Sequence, residues 1–384
     1  MFAPIDRCVA YRCNIRLRKA FRYSSGASEK PVIQVIIVEL ASGDVSGFGE
    51  FYATSLNYPP GIPGTSSLAE WDEVLSTCGS LLGKDAAGLR TLIPEHYNGV
   101  ADASGIVDCI DFALHDLVGK SKGLPVWALL GGRRARSMPV MPVIHTDDME
   151  VMVQKALRWQ AQWGLRLFKI KPHADYDKDV QMMKTFSQEL KPGTRFLLDA
   201  NYAYKSVDEA ATTLSDVAQY GVFLAEDPIE KDYSVYQQKL KPQLNRAGVK
   251  LMLDQQARTM ADVFEIGSCQ AADVINFHAN WHSGFSGALD RAHVAAASGM
   301  ENFIGSAIYA GIADAANITL AAVCPALLVC EQVRGADFYL EGDSVVDEFY
   351  PLQNGAYQIP DRPGLGIEVN RDKLDKLTEE RVEM

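Results

Sequence analysis

From residue 166 onward the chain passes through apolar segments that each end in a polar residue or a glycine, at nearly constant intervals. Lys171, Asp199, Glu226 and Asp254 follow one another at steps of 27 or 28 residues, His278 comes 24 further on, and Gly305 another 27. One strand-plus-helix unit of a closed parallel barrel advances the chain by about this much, since roughly 250 residues cover eight units. Eight segments read as strands: 139–144, 166–171, 195–199, 222–226, 249–254, 273–277, 302–305 and 327–330. Helical stretches fit between them, and Ser206-Val207-Asp208-Glu209 has the form of a capping box opening the helix after Asp199. Eight strands alternating with helices favour an α/β fold of the (β/α)8, TIM-like barrel type over an open doubly wound sheet. In such a barrel the polar strand ends all face the C-terminal mouth, where barrel active sites lie.

The first part of the chain has another pattern. Residues 32–40 are rich in β-branched side chains, Gly43-Asp44 supplies a turn, and Gly47-Phe48-Gly49-Glu50-Phe51 continues a hairpin. Residues 53–67, centred on Tyr58-Pro59-Pro60-Gly61-Ile62-Pro63-Gly64, hold too much proline and glycine for helix or strand, and read as a long loop of the kind that forms lids. Residues 68–130 turn helical: Val107, Ile110, Ala113, Leu114 and Leu117 recur at helical spacing, and the helix after Pro125 stops at Leu129-Leu130-Gly131-Gly132. Arg133-Arg134-Ala135-Arg136 reads as a solvated junction rather than a basic patch.

Composition narrows the classes. A chain of 384 residues with a formal net charge of −12 is a poor partner for nucleic acid or an anionic membrane, though local charge can still hold a small anion. The seven cysteines are scattered, with no C-x-x-C, and read as the reduced thiols of an intracellular protein. The first residues show no apolar leader and no run reaches membrane-spanning length, so the expected location is cytoplasmic.

The chemistry starts at Phe168-Lys169-Ile170-Lys171-Pro172. On a strand, Lys169 and Lys171 point the same way. Two adjacent ammonium groups repel, so one can lose its proton far below the ordinary lysine range and serve as a base near neutral pH. An isolated Lys-x-Lys would read as a solvated strand end. Here Asp199, Glu226 and Asp254 follow on three consecutive strands. Converging carboxylates repel unless a proton or a cation intervenes, and oxygen-only ligands on rigid strand ends suit Mg²⁺. The bland alternative is that each caps the next helix or pairs with a loop lysine.

This pattern resembles the enolase superfamily, and within it the muconate-lactonizing branch of the mandelate racemase/muconate lactonizing enzyme group, over nearly the whole chain. Gly47-Phe48-Gly49-Glu50 looks like the family's N-terminal hairpin motif, and residues 111–120 with Leu129-Leu130-Gly131-Gly132 look like its capping-domain helix pair. Pro363-Gly364-Leu365-Gly366 looks like the tail that returns to the cap. The resemblance implies an α+β N-terminal capping domain at 1–135, a barrel at 136–355 and a returning segment at 356–384. It also implies Asp199, Glu226 and Asp254 as Mg²⁺ ligands, Lys171 as the base that takes the proton alpha to a carboxylate, and Lys169 as its charge partner. Small carboxylate substrates and a homo-oligomer are implied as well.

The pattern breaks at the sixth strand. The branch carries a second lysine there; Ile275-Asn276-Phe277-His278-Ala279-Asn280-Trp281-His282 puts His278 in its place. A histidine after strand seven, the alternative second base, is absent from Ile304-Gly305-Ser306-Ala307-Ile308-Tyr309, and Tyr309 stands where many relatives carry glutamate. Racemisation needs an acid or base on each face of the substrate, whereas syn elimination or cycloisomerisation can run with Lys171 alone. The expected reaction is a dehydratase's, the alternative being a racemase, epimerase or cycloisomerase with His278 on the second face, and a non-enzymatic metal-binding barrel the third reading. His278 could equally hold a substrate hydroxyl, or pack as a neutral histidine; Trp281 and His282 could shape the pocket. Glu331 ends the last strand, where amino-acid epimerases of the branch place carboxylates for a substrate ammonium. Asn201, with Tyr23, Tyr52 and Tyr58 from the loops at 21–25 and 52–64, completes the expected substrate contacts.

Overall fold

The computed structural model describes residues 4–19, 32–52, 71–88, 105–230, 232–279, 284–338, 340–341 and 344–384. The expected lid at 53–67, Tyr23, Tyr58, Trp281 and His282 lie outside the described residues.

Eight parallel strands form one sheet in strict chain order: Val143–Ile144, Leu167–Ile170, Arg195–Asp199, Val222–Glu226, Lys250–Leu253, Val274–Phe277, Glu301–Ile304 and Leu327–Cys330. Val140 bridges in parallel to Cys330, and the Met141 N–H donates to the Cys330 carbonyl at 3.0 Å, so the first strand's approach meets the eighth and the sheet curls into a barrel. Expected and observed strands agree closely from the second onward. The first is shorter than 139–144 because Pro139 and Pro142 have no N–H for a ladder. Ser137–Pro139 instead pairs antiparallel with Ala356–Gln358, outside the barrel.

Alternation along each strand sets what faces inward. Leu197, Leu224, Met252, Val274, Phe303, Val329 and Met141 pack together as a buried cluster of their own. Side chains two residues further along a strand lie on the same face. Those residues are Asp199, Glu226, Asp254, Asn276, Gly305 and Glu331, with Val143 the one apolar side chain among the seven. An apolar floor thus carries a polar layer at the C-terminal mouth.

The second sheet is antiparallel. Arg7–Arg16, Val32–Ser42 and Val45–Tyr52 pair in sequence, and Thr378–Glu383 comes back to the free side of the first. The Gly105–Lys122 helix lies tightly across this sheet: a Cβ on Gly49 would stand 1.8 Å from the Cys109 carbonyl oxygen, and one on Gly47 2.3 Å from that of Ala113. Only glycine at both positions permits that approach.

Two local readings need correction. The arginines at 133–136 are not simply solvated: Arg133 pairs with Asp361 at 2.8 Å and stacks on Trp127, and Arg134, though exposed like Arg136, donates to the Val323 carbonyl at 3.1 Å. At Ser206 only half a capping box forms. The hydroxyl accepts the Glu209 N–H at 3.1 Å, but the Glu209 carboxylate accepts from the Lys205 N–H, one residue too early. The reciprocal pair closes at Thr259 and Asp262 instead. Among the described residues no helix is long and apolar enough to cross a membrane.

Candidate active site

The second strand delivers Lys169 and Lys171 to the mouth, and Asp199 and Glu226 pair in register on the third and fourth. Lys169 Nζ stands 2.9 Å from Asp199 Oδ2, 2.7 Å from Glu226 Oε2 and 2.8 Å from Glu331 Oε2, so three carboxylates from three strands converge on one ammonium. Lys171 Nζ donates to Asp199 Oδ2 and, at 2.6 Å, to Asn201 Oδ1. Asn201 is held there by a left-handed backbone (φ +44°) and by its N–H on Asp199 Oδ1 at 3.1 Å. Across the barrel, His278 Nε2 stands 3.2 Å from Asp254 Oδ1. Lys169, Lys171, Asp199, Glu226, Asp254, His278 and Glu331 are each at most 6% exposed.

Burying so many charges together moves their titration. Burial opposes the charge of Lys169, but Asp199, Glu226 and Glu331 outweigh it and hold the ammonium well above the usual lysine range. Burial likewise opposes ionisation of Asp199 and Asp254, and is outweighed by the two lysines at the first and by His278 at the second, so both stay below the ordinary carboxylate range. Glu226 goes the other way: burial and the Asp199 charge push its carboxyl well up, despite Lys169. As they stand, the carboxylates are drawn onto the lysines and His278. Among the described residues no three His, Cys, Asp or Glu side chains are grouped closely enough to hold a metal ion in place.

The cluster therefore unites Lys169, Lys171, Asp199, Asn201, Glu226 and Glu331, with Asp254 and His278 beside it. Glu331, expected to receive a substrate ammonium, is paired with Lys169. Tyr52 ends the Val45–Tyr52 strand and packs, partly buried, against the main core.

Three residues escaped sequence reasoning. Asn276 donates to Glu226 Oε1 at 2.9 Å, and its only signal was a lone amide inside the apolar Val274–Phe277 run. Asp227 accepts the N–H groups of Asp254 and Gln255 at 3.1 and 3.0 Å, fixing the end of the fifth strand. His145 directly follows the first strand, and burial together with Lys155, Lys171 and Lys169 holds its imidazole well below the usual histidine range. A polar residue after an apolar run was the signal there, as at the other strand ends.

A parallel barrel with a lysine–carboxylate cluster at its mouth, covered by an antiparallel cap, defines an enzyme of acid–base chemistry. Residues 151–373 match the enolase C-terminal domain-like family, and residues 11–131 match the N-terminal domain of the mandelate racemase/muconate lactonizing enzymes. The chain belongs to the mandelate racemase/muconate lactonizing enzyme family of the enolase superfamily. As such it is an enzyme that abstracts the proton alpha to a carboxylate.

The chain is 24% identical to an N-succinyl-L-Arg/Lys racemase of Bacillus cereus over 96% of each chain. It is 25% identical to an o-succinylbenzoate synthase of Geobacillus kaustophilus, over 99% of this chain and 97% of that one. The muconate lactonizing enzyme of Pseudomonas fluorescens, solved with muconolactone, superposes with a TM-score of 0.84 at 20% identity, covering 99% of this chain and all of that one. A dipeptide epimerase of Cytophaga hutchinsonii, solved with Mg and the dipeptide D-Ala-L-Val, superposes with a TM-score of 0.80 at 20% identity over 99% of each chain.

Proposed function

We propose that this enzyme removes the alpha proton of a small hydroxylated carboxylate with Lys171 and completes a syn elimination of water. The observation that carries the reading is the unequal setting of the two lysines. Lys169 is held as an ammonium by three carboxylates, whereas Lys171 rests on Asn201 and one shared oxygen of Asp199. Lys169 then supplies fixed positive charge to the substrate carboxylate as it gains electron density, and Lys171 in its neutral form takes the proton. The same ammonium can next protonate the departing hydroxyl on that face, so that water leaves and Lys171 returns neutral. No second base is needed.

The donor set fits a divalent cation. Asp199, Glu226 and Asp254 offer only hard oxygen atoms, and two of them already converge on a cation, the Lys169 ammonium. We assign these three carboxylates as the Mg²⁺ ligands, with Asn276 orienting Glu226. Bound there, Mg²⁺ would supply electrophilic stabilisation to the substrate carboxylate.

One observation favours a second reading, a racemase, epimerase or cycloisomerase. His278 follows the sixth strand, across the ring from Lys171 on the second, and so stands where an acid for the opposite face belongs. Against it, the His278 Nε2 is engaged by Asp254. Proton NMR in D₂O with a library of hydroxylated and N-acylated carboxylates separates the readings. Olefin formation with loss of water supports the dehydratase. Alpha-proton exchange without loss of water refutes it and favours His278 as the second acid.

A further inference from the structure

Glu50 is a fully buried carboxylate contributed by the cap. It accepts the N–H groups of Ala310 at 2.5 Å and of Ile312 and Ala313 at 2.9 Å each. The last two are the first free donors of the Ile312–Val323 helix, which follows the seventh barrel strand and whose N-cap, Gly311, has no side chain to satisfy them, and the Ala310 N–H lies just before that cap. A helix of the barrel thus takes its N-terminal cap from the other sheet, some 260 residues away in sequence.

The loop so fastened begins at Gly305, which directly supports His278. A Cβ on Gly305 would stand 2.3 Å from both Cε1 and Nε2 of the imidazole and 2.5 Å from Asn276 Oδ1. The Cε1–Nε2 edge of the ring therefore packs directly on this glycine, and a shift of the loop moves its seat. We propose that Glu50 is a positioning residue for His278, fixing the start of the Ile312–Val323 helix and, through it, the 305–311 loop on which the imidazole rests. Its value to catalysis rests on the reading of the mouth as the site of proton transfer; the geometry does not.

Burial pushes the Glu50 carboxyl up to about 7, with the three N–H groups pulling the other way. The titratable groups that face it are Cys13 of the Arg7–Arg16 strand, Cys109 of the Gly105–Lys122 helix and Asp314 of the Ile312–Val323 helix. Both thiols are held far above neutrality by burial, and burial together with the Glu50 charge also raises the Asp314 carboxyl well above the usual range, which makes Asp314 the rival group.

Hydrogen exchange and NMR test this without any substrate. In the unsubstituted enzyme, protection of the amides of residues 310, 312 and 313 should fall as the pH is lowered through about 7, and the amide resonance of Gly305, on which the imidazole rests, should shift in step, a shift that Glu50→Gln abolishes. In Glu50→Gln, whose amide can accept but also presents donors to donors, protection there should be at least about tenfold lower at pH 8 and independent of pH. A pH-dependent change of amide protection that survives in Glu50→Gln would come from a group other than Glu50 and overturn the proposal. So would a Gly305 amide resonance unmoved across that window in the unsubstituted enzyme, a measurement that holds even if the variant folds poorly. Neither outcome bears on which reaction the mouth performs.

Discussion

Lys169 and Lys171 differ by two positions on one strand, and that small offset decides how they can act. Three carboxylates hold the first ammonium charged; the second has Asn201 and a share of Asp199. Replacing Lys171 by Ala should lower alpha-proton exchange at least about a thousandfold, read by NMR in D₂O, while circular dichroism stays native. Retained exchange in that variant would remove Lys171 as the base. Gly305→Ala tests the support of His278 in the same way. Its methyl would collide with the ring and with Asn276 Oδ1, so turnover of a substrate that depends on His278 should fall roughly a hundredfold with only a few degrees lost in Tm.

At the scale of elements, the third, fourth and fifth strands each contribute one carboxylate to a common layer above an apolar floor. If that layer holds the metal, Asp199→Ala and Glu226→Ala should each weaken Mg²⁺ binding by at least about a hundredfold in calorimetry, since each removes a charged ligand from a set of three. Binding unaltered in both would disprove the assignment. The cap is pinned by a different carboxylate. Glu39, buried on Val32–Ser42, accepts from Arg7 at 2.8 Å and from both arms of Arg371 at 2.7 and 2.6 Å, joining the N-terminal sheet to the Arg371–Leu377 helix. Burial opposes its ionisation, yet Arg371 and Ser46 lower its carboxyl to about 2 from the ordinary 4.5. A folded-state pKa below the unfolded one means the contribution is complete above about 4.5 and is lost as the pH falls through about 2. Denaturant titrations of Glu39→Gln should therefore show a weaker loss of stability across that window than the unsubstituted enzyme. The difference should be on the order of 1 kcal/mol once solvent screening at the half-exposed Arg371 is allowed for.

For the whole molecule, saturating Mg²⁺ at a hundred times its Kd should stabilise the native state by about 2.7 kcal/mol, seen as a raised Tm that EDTA reverses. An unchanged Tm would argue against the metal site. The barrel could be read from sequence because its strand ends repeat: Lys171, Asp199, Glu226 and Asp254 each close an apolar run one unit apart. Asp199, Glu226 and the lysine pair were legible for the same reason. What could not be read were partners remote in sequence. Glu50 capping a helix at Ile312, Asp108 and Asp111 accepting the N–H groups of Gly284 and Phe285, and Glu331 meeting Lys169 leave no periodic trace, since a buried carboxylate looks the same whichever donor it finds. The late start of the 139–144 run was marked by its prolines, and the engaged arginines at 133–134 were hidden because surface and interface arginines share one composition.

The return of Thr378–Glu383 to the Arg7–Arg16 strand also orders events in time. A ribosome makes the first strand of that sheet before the whole barrel and its last neighbour after it, so the strand's outer edge stays open while some 360 residues are polymerised. An open edge rich in apolar residues is a template for pairing with a neighbouring nascent chain. Translation stalled after the barrel should thus yield chains that form the barrel yet stick to one another through an incomplete cap.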